Sequence, residues 1–314
     1  MPVFDNAQID ERHFIAPAEW FGNRHSFTEL NDFYVREAIE LAKEVAEGVL
    51  TSCAIAPSEV SAIIFVSTTG ISTPSIDARL FNRMPFDRHI VRMPIWGLGC
   101  AGGAAGISRA FDYSTAHPDA IVLVISVEIC SLAFQNRPTK ENVIAASLFG
   151  DGAAAAIIVG DNVQPRSKAN FPTIIDTLST TYPDTLDVMG WQISNEGFQV
   201  LLSKDIPTIV RELVHSNINE LLEKNGLTLS NIENFVTHPG GTKVLDAYQS
   251  ALGLSDKAME NTKAVLRANG NMSSATIFFI LKRFMESNAT RPGSYGLLSA
   301  LGPGFSSELI LVQW

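Results

Sequence analysis

Residues 94–106 read PIWGLGCAGGAAG, and the fold and chemistry of the chain are inferred outward from this glycine-rich stretch. Gly97, Gly99 and Gly102 match the dinucleotide-binding pattern G-x-G-x-x-G, which lies between a strand and a helix. The same stretch places Cys100 among residues without bulky side chains, at a predicted strand-to-helix turn. Two functional interpretations follow, a phosphate-binding loop or a turn that carries a nucleophilic cysteine.

Neighbouring residues bear on that choice. Glu128, which ends the next predicted strand, is an acid at the distance where a dinucleotide fold holds its ribose. Pro94 weighs against this interpretation, because proline removes a hydrogen-bond donor from a central strand. A thiol at a helix N-terminus lies near the positive end of the helix dipole, which favours the thiolate. A third interpretation is that Cys100 is an inert cysteine in a tightly packed helix start.

Composition narrows the class of protein. The 314 residues include 23 Lys and Arg against 33 Asp and Glu, a net charge of −10, which argues against a nucleic-acid partner. Three widely spaced cysteines without a C-x-x-C pair predict neither a disulfide framework nor a metal site, and they favour a cytoplasmic location. Apolar runs stay shorter than the ~18 residues of a membrane span, so no span is predicted.

Apolar strand-like runs alternate with helical periodicity along the chain, which is typical of an α/β fold. The predicted strands include 60–69, 120–128 and 153–160, a strand that ends in a turn within 232–241, and two closing strands around a Gly-Pro-Gly turn within 295–314. The predicted helices include 33–50, 103–117, 206–226 and 241–253.

The polar stretch 161–172 carries two prolines and is the predicted boundary between two halves, residues 1–165 and 166–314. Cys100-Ala-Gly-Gly in the first half and His238-Pro-Gly-Gly in the second each follow a strand and open a helix. This likeness predicts two related halves that present both side chains to one cleft.

A nucleophilic cysteine requires a base. Of the six histidines, His238 ends an apolar strand and precedes a turn, at the strand end where α/β sites form. Asn271 follows an Asn-Gly turn and opens a helix, where its side-chain amide can donate to an oxyanion. A plain helix cap is the alternative role for Asn271.

Cys100, His238 and Asn271 and the short sequence motifs around them resemble those of the type III polyketide synthases, which are relatives of chalcone and stilbene synthases. PIWGLGCAGG and ALGPGFSSEL look most like bacterial members that make alkylpyrones. The resemblance implies an α/β, thiolase-like layered fold of two related halves with mixed sheets and buried helices. The matching words are GLGCAGG (97–103), LFGDGAAA (148–155), KDIP (204–207), THPGG (237–241), GNMSSAT (270–276) and GPGFSSE (302–308).

The resemblance also implies an acyltransferase. Cys100 takes an acyl group from its CoA thioester, and His238 holds Cys100 as the thiolate. Asn271 and His238 stabilise the enolate formed when malonyl-CoA loses CO₂, and this enolate lengthens the acyl chain on Cys100. Acyl-CoA and malonyl-CoA are the implied partners of a homodimer, and no metal or other cofactor is implied.

Positions around the implied cavity carry over residue by residue. Phe149 matches a gatekeeper between the CoA tunnel and the cavity, and a second gatekeeper falls on the smaller Val200. Ala133 lies where plant enzymes carry threonine, and Thr73 matches a residue that crosses into the partner subunit's cavity. The smaller gates predict a long fatty acyl starter. The remaining implied cavity residues are Ser273, Gly302, Pro303 and Gly304.

Members of this family carry roughly sixty further residues before the segment that matches Met1, and lack of their first strand is expected to leave a sheet edge unpaired. That segment also includes a basic helix that binds CoA phosphates. Three other functions stay open at this point. They are an initiating ketoacyl-carrier-protein synthase, an NAD-dependent oxidoreductase, and a non-catalytic partner of a full-length enzyme.

Overall fold

The computed structural model describes residues 2–134, 139–166, 170–286 and 290–314. Its helices are α1 (Pro2–Ala7), α2 (Ala18–Phe21), α3 (Phe27–Ser52), α4 (Ile76–Phe81), α5 (Gly102–Ala116), α6 (Lys140–Leu148), α7 (Ile206–Lys224), α8 (Thr242–Leu252), α9 (Glu260–Asn269) and α10 (Thr276–Glu286). Its strands are β1 (Ala62–Val66), β2 (Val91–Ile95), β3 (Ile121–Glu128), β4 (Gly152–Val159), β5 (Thr173–Thr181), β6 (Met189–Ser194), β7 (Gly197–Leu202), β8 (Ile232–Thr237), β9 (Tyr295–Gly302) and β10 (Ser306–Gln313).

Two four-stranded mixed sheets share an arrangement of three strands, and the fourth strand lies beside β1 in the first sheet but beside β10 in the second. The first sheet has the order β2-β1-β3-β4 and the second has the order β5-β10-β9-β8. In the first, β1 is parallel to β3, which is antiparallel to β4. In the second, β8 is parallel to β9, which is antiparallel to β10. The prediction of two related halves with mixed sheets is therefore confirmed.

Alternating side chains of each sheet bury different layers, as the two-residue period of a strand requires. In β1, Ala62, Ile64 and Val66 pack into a central core that also contains residues of α5, α10 and the second sheet. Ile63 and Phe65 point the other way, into a core shared with α3. The second sheet packs its outer face against α7 and α8. Helices α5 and α10 thus lie between the sheets, as the layered prediction requires.

A glycine allows the two buried helices to approach each other. A Cβ at Gly103 in α5 would overlap the backbone oxygen of Ser274, and it would lie 2.8 Å from the Ile277 side chain in α10. Only a residue without a side chain fits there. This contact fixes the spacing between the two halves beside the site described below.

The long helix α3 begins at Phe27, six residues before the predicted start at residue 33. Ser26 accepts from the Glu29 N–H at 3.2 Å, and the Glu29 carboxylate accepts from the Ser26 N–H at 2.8 Å. This reciprocal capping box fixes the start of the helix. The sequence prediction was late because it followed apolar periodicity and gave no weight to the cap.

The predicted boundary at residues 165 and 166 falls in the connection between β4 and β5. Residues 167–169 of that connection lie outside the described residues. The division into 1–165 and 166–314 stays a prediction. Among the residues that the structure describes, no helix has both the length and the apolar character needed to cross a membrane.

Candidate active site

Cys100 lies in a short 3-10 turn, Gly99–Ala101, between β2 and α5. The Gly99 N–H donates to Thr68 Oγ1 at 3.1 Å, which ties this turn to the end of β1. Gly99 has φ of +47°, a conformation that favours glycine. The predicted strand-to-helix turn is confirmed, and β2 with Pro94 is an edge strand that pairs with β1.

Asn271 brings the second half to the thiol. Its Oδ1 lies 3.9 Å and its Nδ2 4.0 Å from Cys100 Sγ. It precedes the 3-10 turn Ser273–Ala275, which leads into α10 just as the Cys100 turn leads into α5. The predicted symmetry between the Cys100 and His238 turns is therefore wrong. The topological equivalent of the Cys100 turn is the Asn271 turn, because β8 before His238 corresponds to β1.

His238 directly follows β8, and its N–H donates to Ser299 O at 2.8 Å. The Asn271 Nδ2 donates to Gly240 O at 2.9 Å, so one carboxamide contacts both the thiol and the loop of His238. The His238 ring is buried, and neither ring nitrogen has a hydrogen-bond partner among the described residues. Burial lowers the pKa of His238 to about 3, so the imidazole is neutral at pH 7.

Burial also determines the protonation state of the Cys100 thiol. It raises the pKa of Cys100 to about 11, while hydrogen bonds with Ser273 and Asn271 act in the opposite direction. The helix-dipole argument predicted a stabilised thiolate, but desolvation is the larger effect in this structure. Cys100 and His238 are therefore both neutral at pH 7, and a thiolate requires proton transfer at the moment of reaction.

Glu128 has a role that the sequence did not indicate. It is fully buried, accepts from the Thr68 N–H at 3.0 Å, and accepts from the Ser274 hydroxyl. Burial raises the pKa of this carboxyl to about 7. Through Thr68 it reaches the Cys100 turn, and through Ser274 it reaches the start of α10.

The dinucleotide interpretation is wrong. The Glu128 carboxyl is enclosed by protein and has no exposed face for a ribose. A Cβ at Gly99 would lie 2.8 Å from Pro303, and one at Gly102 would lie 2.7 Å from Val66. These glycines serve close packing around the thiol. Thr68 and Ser274 were missed, and Glu128 was assigned to a ribose, because their partners lie far away in the sequence.

The predicted gate and cavity residues surround Cys100 unequally. Phe149 is buried in one apolar cluster with Cys100, Cys130 and Ala145, and Val200 of the β6–β7 hairpin packs against that cluster. Ala133 ends the 3-10 turn that begins at Cys130 and is only partly buried. Cys130, to which the sequence analysis assigned no role, is thus a further member of the apolar cluster beside Cys100.

Ser273 and the loop 302–304 contact residues next to Cys100. Ser273 has φ of +49°, and its N–H donates to Asn271 Oδ1 at 2.8 Å. A Cβ at Gly302 would overlap Leu98 O, so this loop packs directly on the Cys100 turn. Pro303 contacts that turn at Gly99, and Gly304 follows with φ of +137°.

Thr73 lies away from the thiol cluster of its own chain. It is exposed and lines an open surface groove of about 490 Å³ with Asn31 and Arg79. Across the described ranges, no group of three or more His, Cys, Asp or Glu side chains is arranged to hold a metal ion.

Comparison with known proteins decides the family. Residues 21–162 match the profile of the N-terminal domain of chalcone and stilbene synthases, and residues 174–314 match that of the C-terminal domain. The chain belongs to the chalcone and stilbene synthase family. It is a type III polyketide synthase, and its fold is the thiolase-like fold of that family.

Three bacterial proteins illustrate the similarity to known members. A presumed chalcone synthase of Bacillus subtilis (strain 168) is 46% identical over 319 residues, covering 99% of this chain and 87% of the relative. The 1,3,6,8-tetrahydroxynaphthalene synthase of Streptomyces peucetius subsp. caesius is 37% identical, covering 98% and 82%. The crystal structure of 1,3,6,8-tetrahydroxynaphthalene synthase from Streptomyces coelicolor A3(2), a bacterial type III polyketide synthase, superposes with a TM-score of 0.94 at 32% identity, covering 100% and 88%.

Proposed function

We propose that this synthase condenses malonyl-CoA with an acyl-CoA starter, through an acyl thioester on Cys100. The observation that carries the proposal is the Asn271 carboxamide, which contacts Cys100 Sγ and is bonded to the loop of His238. This arrangement supplies a nucleophile, a base and an oxyanion donor in a water-poor site.

In the first step, an imidazole nitrogen of His238 accepts the Cys100 proton while sulfur attacks the carbonyl carbon of the starter. The carbon–sulfur bond to CoA breaks, and CoA leaves as the thiol after taking that proton from His238. Because burial keeps both groups neutral beforehand, proton transfer accompanies the attack.

In the second step, the malonyl carbon–carbon bond breaks and CO₂ leaves. The enolate oxygen that forms accepts hydrogen bonds from Asn271 Nδ2, which has a second N–H beyond its bond to Gly240, and from His238. The enolate carbon then attacks the thioester on Cys100. A new carbon–carbon bond forms, the bond to Sγ breaks, and the thiolate is regenerated.

For the starter, we propose a long-chain fatty acyl-CoA, with alkylpyrones as the products. Val200 offers a smaller side chain than a phenylalanine at the gate beside Cys100, which leaves room for a flexible chain. A competing starter is a short acyl group. The tetrahydroxynaphthalene synthase relatives favour it, since their named product is an aromatic without an alkyl chain.

We also propose that the synthase is a cytoplasmic homodimer that uses CoA thioesters without a further cofactor. Exposed Thr73 and the groove beside it support an interface on that face. Free Cys53, Cys100 and Cys130 favour a reducing compartment.

The test incubates purified protein with malonyl-CoA and acyl-CoAs from acetyl to stearoyl, and reads products and protein adducts by mass spectrometry. We expect an acyl adduct on Cys100 that is absent from Cys100→Ala and retained in Cys53→Ala, whose half-buried thiol is a matched control. Products from short starters alone would contradict the alkylpyrone proposal. Extension only from a carrier-protein thioester would indicate a ketoacyl-carrier-protein synthase, and no adduct with any thioester would indicate a non-catalytic partner.

A further inference from the structure

The segment of residues 10–15, here the crossing segment, joins the two halves near the site. The Asp10 N–H donates to Arg267 O at 2.8 Å in the second half. The Ile15 N–H donates to Asp151 Oδ2 at 2.8 Å in the first half. The middle of the crossing segment therefore passes over the seam between the halves.

Arg12 lies at that seam. A Cβ added at Gly270 would lie 2.8 Å from the Arg12 Cγ, and one added at Gly150 would lie 3.4 Å from the Arg12 Cβ. Its guanidinium donates to Ala146 O and, at 3.4 Å, to Phe149 O. Two glycines from opposite halves thus make room for the Arg12 stem, and its head group binds the end of α6.

Arg12 binds the backbone segment that connects Phe149, the proposed gate residue, to Asn271, the proposed oxyanion donor. Phe149 and Asn271 form an isolated parallel bridge, in which Gly150 N–H donates to Asn271 O at 3.0 Å. Asn271 N–H donates to Leu148 O at 2.9 Å. Any shift of the α6 end therefore moves Asn271, whose carboxamide contacts Cys100 Sγ.

The positively charged guanidinium of Arg12 is bound to backbone carbonyl groups. The guanidinium lies 5.2 Å from the Phe14 ring and 5.8 Å from the Phe4 ring, and partial burial lowers its pKa. Within the described part of the chain, no carboxylate forms an ion pair with it. A cation at a helix C-terminus stabilises the last carbonyl groups of that helix. Such a contact restrains backbone position rather than neutralising a charge.

We propose that Arg12 is a positioning residue, which holds the Phe149–Asn271 bridge and thereby places the Asn271 carboxamide against Cys100. The kinetic consequence rests on the proposed function, whereas the structural consequence does not. Loss of the guanidinium loosens Asn271, which stabilises the enolate, and leaves the Cys100 turn held by Thr68.

The structural test is hydrogen exchange of the backbone amides, read by mass spectrometry. Arg12→Met keeps a stem between the two glycines and removes every donor. We expect peptides that contain Gly150 and Asn271 to exchange about tenfold faster in this variant, as the loss of a charged hydrogen bond implies. Peptides around Cys100 should be unchanged. Arg166→Met is the matched control, because Arg166 also donates to a backbone carbonyl, Ala54 O at 2.8 Å.

The kinetic test compares two reactions of the same variants. In Arg12→Met we expect kcat for malonyl-CoA decarboxylation to fall about tenfold with little change in KM, while alkylation of Cys100 by iodoacetamide keeps its rate. Arg12→Lys, which keeps one cationic donor, should restore part of the loss. Unchanged exchange at the bridge, or equal losses of decarboxylation and alkylation, would overturn the proposal. A wild-type protein that does not decarboxylate malonyl-CoA would refute the proposed function, and exchange would still decide the role of Arg12.

Discussion

Asn271 and Cys100 come from different halves of the chain, yet the Asn271 Nδ2 lies 4.0 Å from Cys100 Sγ. Each residue belongs to a turn that leads through a 3-10 helix into a buried α-helix. The proposed nucleophile and the proposed oxyanion donor therefore occupy equivalent places in two related units, at the point where those units meet.

Replacement of Asn271 separates the two chemical steps. In Asn271→Ala we expect condensation to fall by about a hundredfold, since the proposed oxyanion donor is lost. Alkylation of Cys100 should fall much less, because Asn271 is one of several groups that set the pKa of the thiol. Product formation and iodoacetamide kinetics are measured on the same preparation. Asn269→Ala is the control, because among the described residues its side-chain amide donates only to Val265 O in its own helix. Equal losses in both reactions would contradict the assignment.

The reactivity of Cys100 toward iodoacetamide should rise with pH. Burial raises its pKa to about 11, so the thiolate fraction grows about tenfold per pH unit below that value. Rates are measured in a Cys53→Ala background by mass spectrometry of the Cys100 peptide. A rate that is already constant near neutral pH would show a preformed thiolate–imidazolium pair with His238, as the sequence argument expected.

Stability should depend on pH through two buried groups with opposite signs. Glu128 ionises at about 7 in the folded chain against an ordinary pKa of 4.5, so its contribution is lost as pH rises through that window. His238 has a folded pKa of about 3 against an ordinary 6.5, so its contribution is lost as pH falls through that window. Between 4.5 and 6.5 the two slopes oppose each other.

Single replacements should reveal how each group contributes to the pH dependence of the free energy of unfolding. In Glu128→Gln we expect the free energy of unfolding to rise with pH more steeply than in the wild type, by up to about 1.4 kcal/mol per unit across this window. His238→Gln should shift the slope by a similar amount in the opposite direction. Urea unfolding at about pH 5 and about pH 6 measures both slopes. Identical slopes in all three proteins would refute the assignment.

Replacement by alanine should have opposite effects on the free energy of unfolding at two helical glycines. Gly103→Ala should lower the free energy of unfolding by about 2 kcal/mol or more, because the new Cβ overlaps the Ser274 backbone. Gly48→Ala in α3 should raise it by about 1 kcal/mol, because the added Cβ would meet no packed neighbour within 4 Å among the described residues, and alanine favours the helix. Chemical denaturation measures both. Equal effects would mean that α5 and α10 are not in close contact.

The gate at Val200 should select starters by length. In Val200→Phe we expect kcat/KM for long acyl-CoAs to fall about tenfold, while short starters are little affected. Val200→Ala is the matched control and should keep long starters. A ladder of acyl-CoAs read by product mass spectrometry provides the comparison. Equal losses at every chain length would show that Val200 does not line the acyl path.

Local sequence pattern was enough to place the individual elements near the site. The glycines around Cys100, the turn after His238 and the amide at Asn271 all lie where strand and helix patterns put them. Glu128 was misassigned, because its meaning depends on Ser274, 146 positions away. Arg12 carried no signal at all, since it binds backbone carbonyls, which look alike in any sequence.

The predicted equivalence of the Cys100 and His238 turns was wrong for a related reason. Similar words after Cys100 and His238 suggested equivalent turns, whereas equivalence is defined by strand pairing. The parallel pairs β1–β3 and β8–β9 show that His238 corresponds to the end of β1. Strand order depends on contacts between distant segments, and one sequence does not reveal those contacts.

Helix α5, buried between two sheets, has a consequence for how the protein is made. Its residues from Gly102 to Ala110 pack against strands of both halves, including β10, which ends at Gln313. During synthesis the N-terminal half emerges first, and the part of α5 that packs on β10 stays uncovered until β10 has been made. Chains truncated before β10 would therefore expose this apolar face of α5, and we expect them to aggregate more readily than the full chain.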